Sequence, residues 1–313
     1  MNALLFPGQG SQIVGMGSEL YNNFTLVKKI FDLADQKLNF PISKIILSGP
    51  ENDLQLTENT QPAILTVSYS IYRVLKDEFN FNFENFKYFA GHSLGEYSAL
   101  VCSNSLNFID AIYLLNQRGK AMQDAVPVGV GKMLAVLGTE INTLKELINE
   151  ITLSNGVCEI ANDNAIGQVI VSGNKENIEL LQSLLKKKKI KSIPLKVSAP
   201  FHCKLMTKAA ENMKDKINNI KFSKPSFKII NNVTAEPVSE PDKIKTLLIK
   251  QIFSTVRWRE SILKMAEDKI KDYVEIGPGK VLTGMVKRTI KDVNCFSINS
   301  IADIKNIVNE FKK

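Results

Sequence analysis

Histidine occurs only twice in 313 residues, cysteine four times and tryptophan once. The cysteines, Cys102, Cys158, Cys203 and Cys295, lie far apart and form neither a CxxC pair nor a Cys/His ligand set, so no metal site or redox motif is expected. They read as reduced thiols in a cytoplasmic protein. No apolar run approaches the ~20 residues of a membrane-spanning helix. The first residues, Met1 to Pro7, lack the basic segment of a signal peptide. No Pro- or Ser-rich linker and no tandem repeat divides the chain. Neither sign of charge is scarce: 40 Lys and Arg stand against 32 Asp and Glu, in a chain that is 44% hydrophobic. That is a globular composition with enough apolar residues for a sizeable core. The net charge of +8 admits two readings, a basic surface for an acidic partner or a drift toward lysine. The densest basic run, Lys186 to Lys189, has no interleaved aromatics and no binding motif, so nucleic acid is not an expected partner.

The pattern that remains is α/β. Ala3–Phe6 is a short apolar run stopped by Pro7-Gly8, a buried strand entering a turn. Ile64, Val67, Ile71 and Val74 recur at helical spacing within Thr60–Phe79. Lys87–Ala90 reads as a strand, Leu94–Cys102 and Asn107–Ala125 as helices. From Gly131 the rhythm changes: strand Met133–Leu137, helix Ile141–Leu153, strands Val157–Ala161 and Gln168–Ser172 joined by a loop over 162–167, helix Asn174–Lys188, strand Ile190–Val197. That βαββαβ order is the signature of a ferredoxin-like unit. The larger pattern then resumes, with a helix from about Cys203 to Asn219, a strand near Phe227–Ile230, helices from Glu240 and Trp258, strand Tyr273–Ile276 and a helix from Val281. The expectation is a large α/β domain over 1–125 and 198–313, with a small domain inserted at 126–197.

Gly91-His92-Ser93-Leu94-Gly95 matches G-x-S-x-G between a predicted strand and a predicted helix, a turn that exposes a serine oxygen. Ser93 is the candidate nucleophile, and the Leu94 N–H at the helix start suits an oxyanion. A serine needs a base. His92 adjoins it and reads as a packing residue behind the elbow. His202 opens the next predicted helix and leads the inward stripe Met206, Ala209, Met213, Ile217, so it is the candidate base, with the helix N-terminus disfavouring imidazolium. No acidic third member stands out. Arg118 shares a stripe with Ala111, Leu115 and Met122. It either reads a carboxylate or closes an internal salt bridge, and periodicity does not choose between them. The Gly8-Gln9-Gly10 loop fits no dinucleotide fingerprint, because Ile13 stands where glycine is needed, and no phosphate loop. It is either a simple turn or the source of a second oxyanion donor. A serine esterase and a non-catalytic binding protein are the rival classes.

Taken together, these segments resemble the malonyl-CoA:acyl carrier protein transacylases of bacterial fatty acid synthesis. The resemblance runs through FPGQGSQ at 6–12, TQPA at 60–63, GHSLGEYSALV at 91–101, QRG at 117–119, GQVIVSG at 167–173, PFHC at 200–203, NNV at 231–233 and EIGPGKVLTG at 275–284. It implies an α/β-hydrolase-like large domain with a ferredoxin-like insert. It implies Ser93 as acyl carrier, His202 as base, the Gln251 backbone carbonyl as the histidine's partner, and Gln9 N–H as an oxyanion donor. Arg118 would bind the malonyl carboxylate, Phe201 would mark malonyl selection, and Asn164 would line the cleft. The implied reaction is a ping-pong transfer from malonyl-CoA to the phosphopantetheine thiol of acidic acyl carrier protein, by a cytoplasmic monomer without metal or redox cofactor and without a membrane partner.

Overall fold

The computed structural model describes residues 1–127, 129–151, 156–195, 197 and 199–311. Two sheets organise the chain. The first contains β1 (Asn2–Phe6) and β2 (Phe86–Gly91). The second contains β3 (Gly131–Leu137), β4 (Cys158–Ala165), β5 (Gln168–Asn174) and β6 (Lys191–Pro194). The chain then returns to the first sheet with β7 (Lys228–Ile230), β8 (Pro237–Val238), β9 (Asp272–Ile276) and β10 (Asn294–Ile298). The first sheet has the order β10-β9-β1-β2-β7-β8, parallel except for the β7–β8 pair. The second has the order β4-β5-β3-β6 and is antiparallel throughout.

Period-two alternation along β1 divides the interior. Leu4 and Phe6 enter one apolar cluster, which the Thr57–Arg73 and Phe108–Asp124 helices cover. Ala3 and Leu5 enter another, beneath the Trp258–Glu267 and Val281–Thr289 helices. Both faces of the parallel sheet are thus buried, as its near-continuous apolar strands require. In the second sheet, Leu134 and Val136 pack under the Ile141–Ile151 and Lys175–Lys187 helices. Met133, Ala135 and Ile170, on its other face, join the first cluster.

The βαββαβ order is present, with shifted boundaries. The predicted helix end at Leu153 lies outside the described residues. The expected loop over 162–167 is a strand as far as Ala165, and the turn is Ile166-Gly167. Polar Asn162 and Asp163 hold extended backbone because the first sheet's side supplies partners. Thr255 Oγ1 donates to Ile160 O (2.6 Å), Val256 N–H to Ala161 O (2.8 Å) and Asp163 N–H to Val256 O (3.0 Å). Arg259 Nε donates to both Asp163 carboxylate oxygens at 3.0 Å. β6 is shorter than the predicted Ile190–Val197 strand, and the predicted helix at Cys203 starts as a 3₁₀ turn at Lys204, becoming α-helical over Thr207–Asn218. Among the described residues no helix is long and apolar enough to cross a membrane, and the four cysteines are free.

Candidate active site

Ser93 sits at the carboxyl end of β2, between that strand and the Gly95–Cys102 helix, with φ of 54°. A non-glycine residue in the left-handed region costs on the order of 1 kcal/mol or more and persists only where its surroundings enforce it. Here both flanking glycines are required by close approach. A Cβ on Gly91 would stand 1.9 Å from the Gly95 carbonyl carbon, and one on Gly95 would stand 2.2 Å from Phe6 O. Asn232 clamps the turn from outside: its Oδ1 accepts Ser93 N–H (2.7 Å) and its Nδ2 donates to Gly91 O (2.7 Å).

His202 comes from the far side of the chain to meet this serine, Nε2 to Ser93 Oγ at 2.8 Å. Its Nδ1 is 2.8 Å from the backbone carbonyl of Gln251. A carbonyl only accepts, so the proton is on Nδ1 and Nε2 offers a lone pair to the serine hydroxyl. Burial, reinforced by the Arg118 guanidinium, pushes the His202 pKa down to about 3. The histidine does not open a helix. It lies in a turn, with φ of 58°, ahead of the 3₁₀ segment, so burial rather than a helix terminus keeps the ring neutral.

Arg118 is 1% exposed. Its Nη2 donates to Ser93 Oγ and to Gln251 Oε1, both at 3.0 Å, and its Nη1 to Gln61 Oε1 at 2.7 Å. Nε has no partner. Among the described residues no carboxylate forms a salt bridge with Arg118, so the alternative of an internal ion pair is not what the structure contains. Burial draws its pKa down, with Tyr97 and Glu96 opposing.

These groups line one cleft of about 960 Å³, to which Gln9, Leu94, Phe201 and Asn164 also contribute. Gln251 stands behind it. The N–H groups of Gln9 and Leu94 donate to no group among the described residues. His92 differs from its expected place behind the elbow: its ring is in the cleft wall, Nε2 2.8 Å from Asn164 Oδ1. Gln61, Glu96, Asn231 and Asn232 are not among the site residues expected from the sequence. All four are buried, and they surround the serine and arginine. The signal available was a glutamate inside the otherwise uncharged GEYSALVC run, together with the amides in TQPA and NNV. Glu96 accepts hydrogen bonds from Asn231 Nδ2 (2.6 Å), Asn232 N–H (3.1 Å) and Gln251 Nε2 (2.7 Å), and burial lifts its pKa to about 7. No group of three or more His, Cys, Asp and Glu among the described residues could hold a metal ion.

Residues 3–310 match the acyl transferase domain family. The malonyl CoA-acyl carrier protein transacylase of Bacillus subtilis (strain 168) is 39% identical over 312 residues, which is 99% of this chain and 97% of the relative. The crystal structure of an acyl-carrier-protein S-malonyltransferase from Bartonella henselae is similar at TM-score 0.96 and 38% identity, covering 100% of both chains. A malonyl-transacylase solved in complex with a type II PKS acyl-carrier protein is similar at TM-score 0.94 and 36% identity, covering 98% of this chain and 99% of that one. A family match over almost the whole chain, with relatives similar in sequence and fold over nearly their full length, makes this protein an acyltransferase belonging to the malonyl CoA-acyl carrier protein transacylases.

Proposed function

We propose that the protein moves a malonyl group from malonyl-CoA to the phosphopantetheine thiol of acyl carrier protein through a malonyl ester on Ser93. One observation carries the reading: Ser93 Oγ touches a neutral imidazole and a buried guanidinium that forms no ion pair among the described residues. In a malonyl ester the carboxylate stands two carbons beyond the ester oxygen. A guanidinium next to Oγ suits that short dicarboxylic group, and its fork matches a carboxylate.

His202 Nε2 takes the Ser93 proton as Oγ attacks the thioester carbon. The Gln9 and Leu94 N–H groups receive the oxyanion. The C–S bond breaks and His202 returns the proton to the CoA sulfur. In the second half His202 takes the proton of the carrier's thiol, the sulfur attacks the ester, and Ser93 regains its proton. Each half exchanges an ester and a thioester with no net oxidation. Gln251 O steadies the imidazolium that forms between the steps, Phe201 and Asn164 shape the cleft, and the carrier-bound relative supports acyl carrier protein as the acceptor.

The same reading assigns the large part to the α/β-hydrolase-like class and residues 126–197 to a ferredoxin-like insert, on the strength of the two strand orders. It places the protein in the cytoplasm as a monomer, with bacterial relatives and free cysteines in support. Incubation with malonyl-CoA should add one malonyl group, mapped to the Ser93 peptide by mass spectrometry, and Ser93→Ala should carry none. Equal labelling of Ser93→Ala would overturn the proposal.

A further inference from the structure

One buried carboxylate beside the reacting groups is used by none of these steps. Glu96, in the first turn of the Gly95–Cys102 helix, is 1% exposed and has no salt-bridge partner among the described residues. Its Oε1 takes Asn231 Nδ2, and its Oε2 takes both Asn232 N–H and Gln251 Nε2. The Asn231 amide cannot turn over without loss, because its Oδ1 already accepts Val233 N–H (2.9 Å) and Thr234 N–H (3.2 Å). Asn232 N–H is backbone and fixed. Gln251 Nε2 also reaches Ser93 O at 3.1 Å. Both oxygens at position 96 therefore face only donors. An ionised carboxylate satisfies all of them, whereas a carboxamide would set donor against donor on one side.

The consequence is felt at Gln251. With Nε2 turned to Glu96, the Gln251 Oε1 must face Arg118 Nη2, and the main-chain oxygen of the same residue holds His202 Nδ1. Building on the malonyl-transfer reading, we infer that Glu96 is a positioning residue: its carboxylate orients the Gln251 amide, which holds the Arg118 fork against Ser93 and so sets the preference for acyl groups that end in a carboxylate.

Acyl-enzyme formation from malonyl-CoA and from acetyl-CoA, measured on the same preparation, tests this. Their ratio is independent of the folded fraction. Glu96→Gln should lower the malonyl-to-acetyl ratio by about tenfold to a hundredfold, the scale of a lost hydrogen bond to a charged group. Glu96→Asp, which keeps the acceptors but shortens their reach, should restore part of it. In an Arg118→Ala background Glu96→Gln should change the ratio no further. A wild-type ratio in Glu96→Gln, or the same loss with Arg118 already removed, would overturn the inference. If Glu96→Gln yields no folded protein, Glu96→Asp decides alone, and an unchanged ratio there is the overturning result. Wild type that forms no malonyl-Ser93 would instead refute the transfer reading, whatever the variants do.

Discussion

Two arginines, Arg118 in the cleft and Arg259 at the seam between the sheets, meet their surroundings in opposite ways. Arg259 is matched: its guanidinium lies on the buried Asp163 carboxylate, with Nε at 3.0 Å from both oxygens and Nη2 at 2.8 Å, and this partner raises its pKa. Arg118 is more deeply buried, yet its partners are neutral oxygens and its pKa is drawn down. A buried charge without a counter-ion is costly to a fold. The matched pair ties β4 to the Trp258–Glu267 helix and so serves architecture. On the proposed function, the unmatched charge would meet an anion that arrives with substrate.

Breaking either side of this contrast should give different phenotypes. The largest effect belongs to the proposed base, which shares Ser93 with Arg118: His202→Ala should slow acylation by about 10²–10⁴. Retained rates in His202→Ala, with a comparable loss in His92→Ala, would mean that the base is misassigned. The ring itself should stay neutral well below its ordinary 6.5, since its folded pKa is about 3. An unfolded chain takes this proton first, so His202 makes stability fall as pH drops from about 6.5 toward 3. Imidazole nitrogen shifts followed by NMR should show no His202 protonation near 6.5.

At the seam, Arg259→Ala strands the Asp163 carboxylate. Stability should fall by about 1–3 kcal/mol in denaturant titration, while the malonyl-to-acetyl ratio stays at its wild-type value. A changed ratio without a change in stability would erase the distinction between the two arginines. The smallest effect concerns the surface. If the net +8 steers an acidic carrier, kcat/KM for the carrier should fall as salt rises from about 0.05 to 0.5 M, and CoA-side acylation should fall less. Equal sensitivity would leave the lysines without a docking role.

The features legible in the sequence are local or periodic. The elbow could be read because its two glycines answer contacts within a few residues and with β1, and the Arg118 stripe because all its members are buried along one helix face. Two histidines left little choice of base. What escaped was set by distant partners. Asn162–Ala165 reads as a loop because its partners are remote: Asp163 is held by Val256 and Arg259, some ninety residues further on, and Asn164 by His92. Glu96 carries no signal in its own helix beyond being an acid in the first turn, and its partners Asn231, Asn232 and Gln251 lie far away in the sequence. Whether Arg118 was paired could not be decided from periodicity, since the answer depends on every carboxylate elsewhere in the fold.

The most direct test of the unmatched-charge account is the rate of acyl-Ser93 formation from malonyl-CoA and acetyl-CoA in wild type and Arg118→Ala, read beside the melting temperature. Losing one partner of a desolvated charge pair costs about 2–5 kcal/mol, so malonyl transfer should fall roughly 30- to 5,000-fold. Acetyl transfer should fall far less, and Arg118→Lys should recover only part of the preference. An equal loss for both acyl groups, together with a large fall in melting temperature, would contradict the account and leave Arg118 a scaffold residue like Arg259.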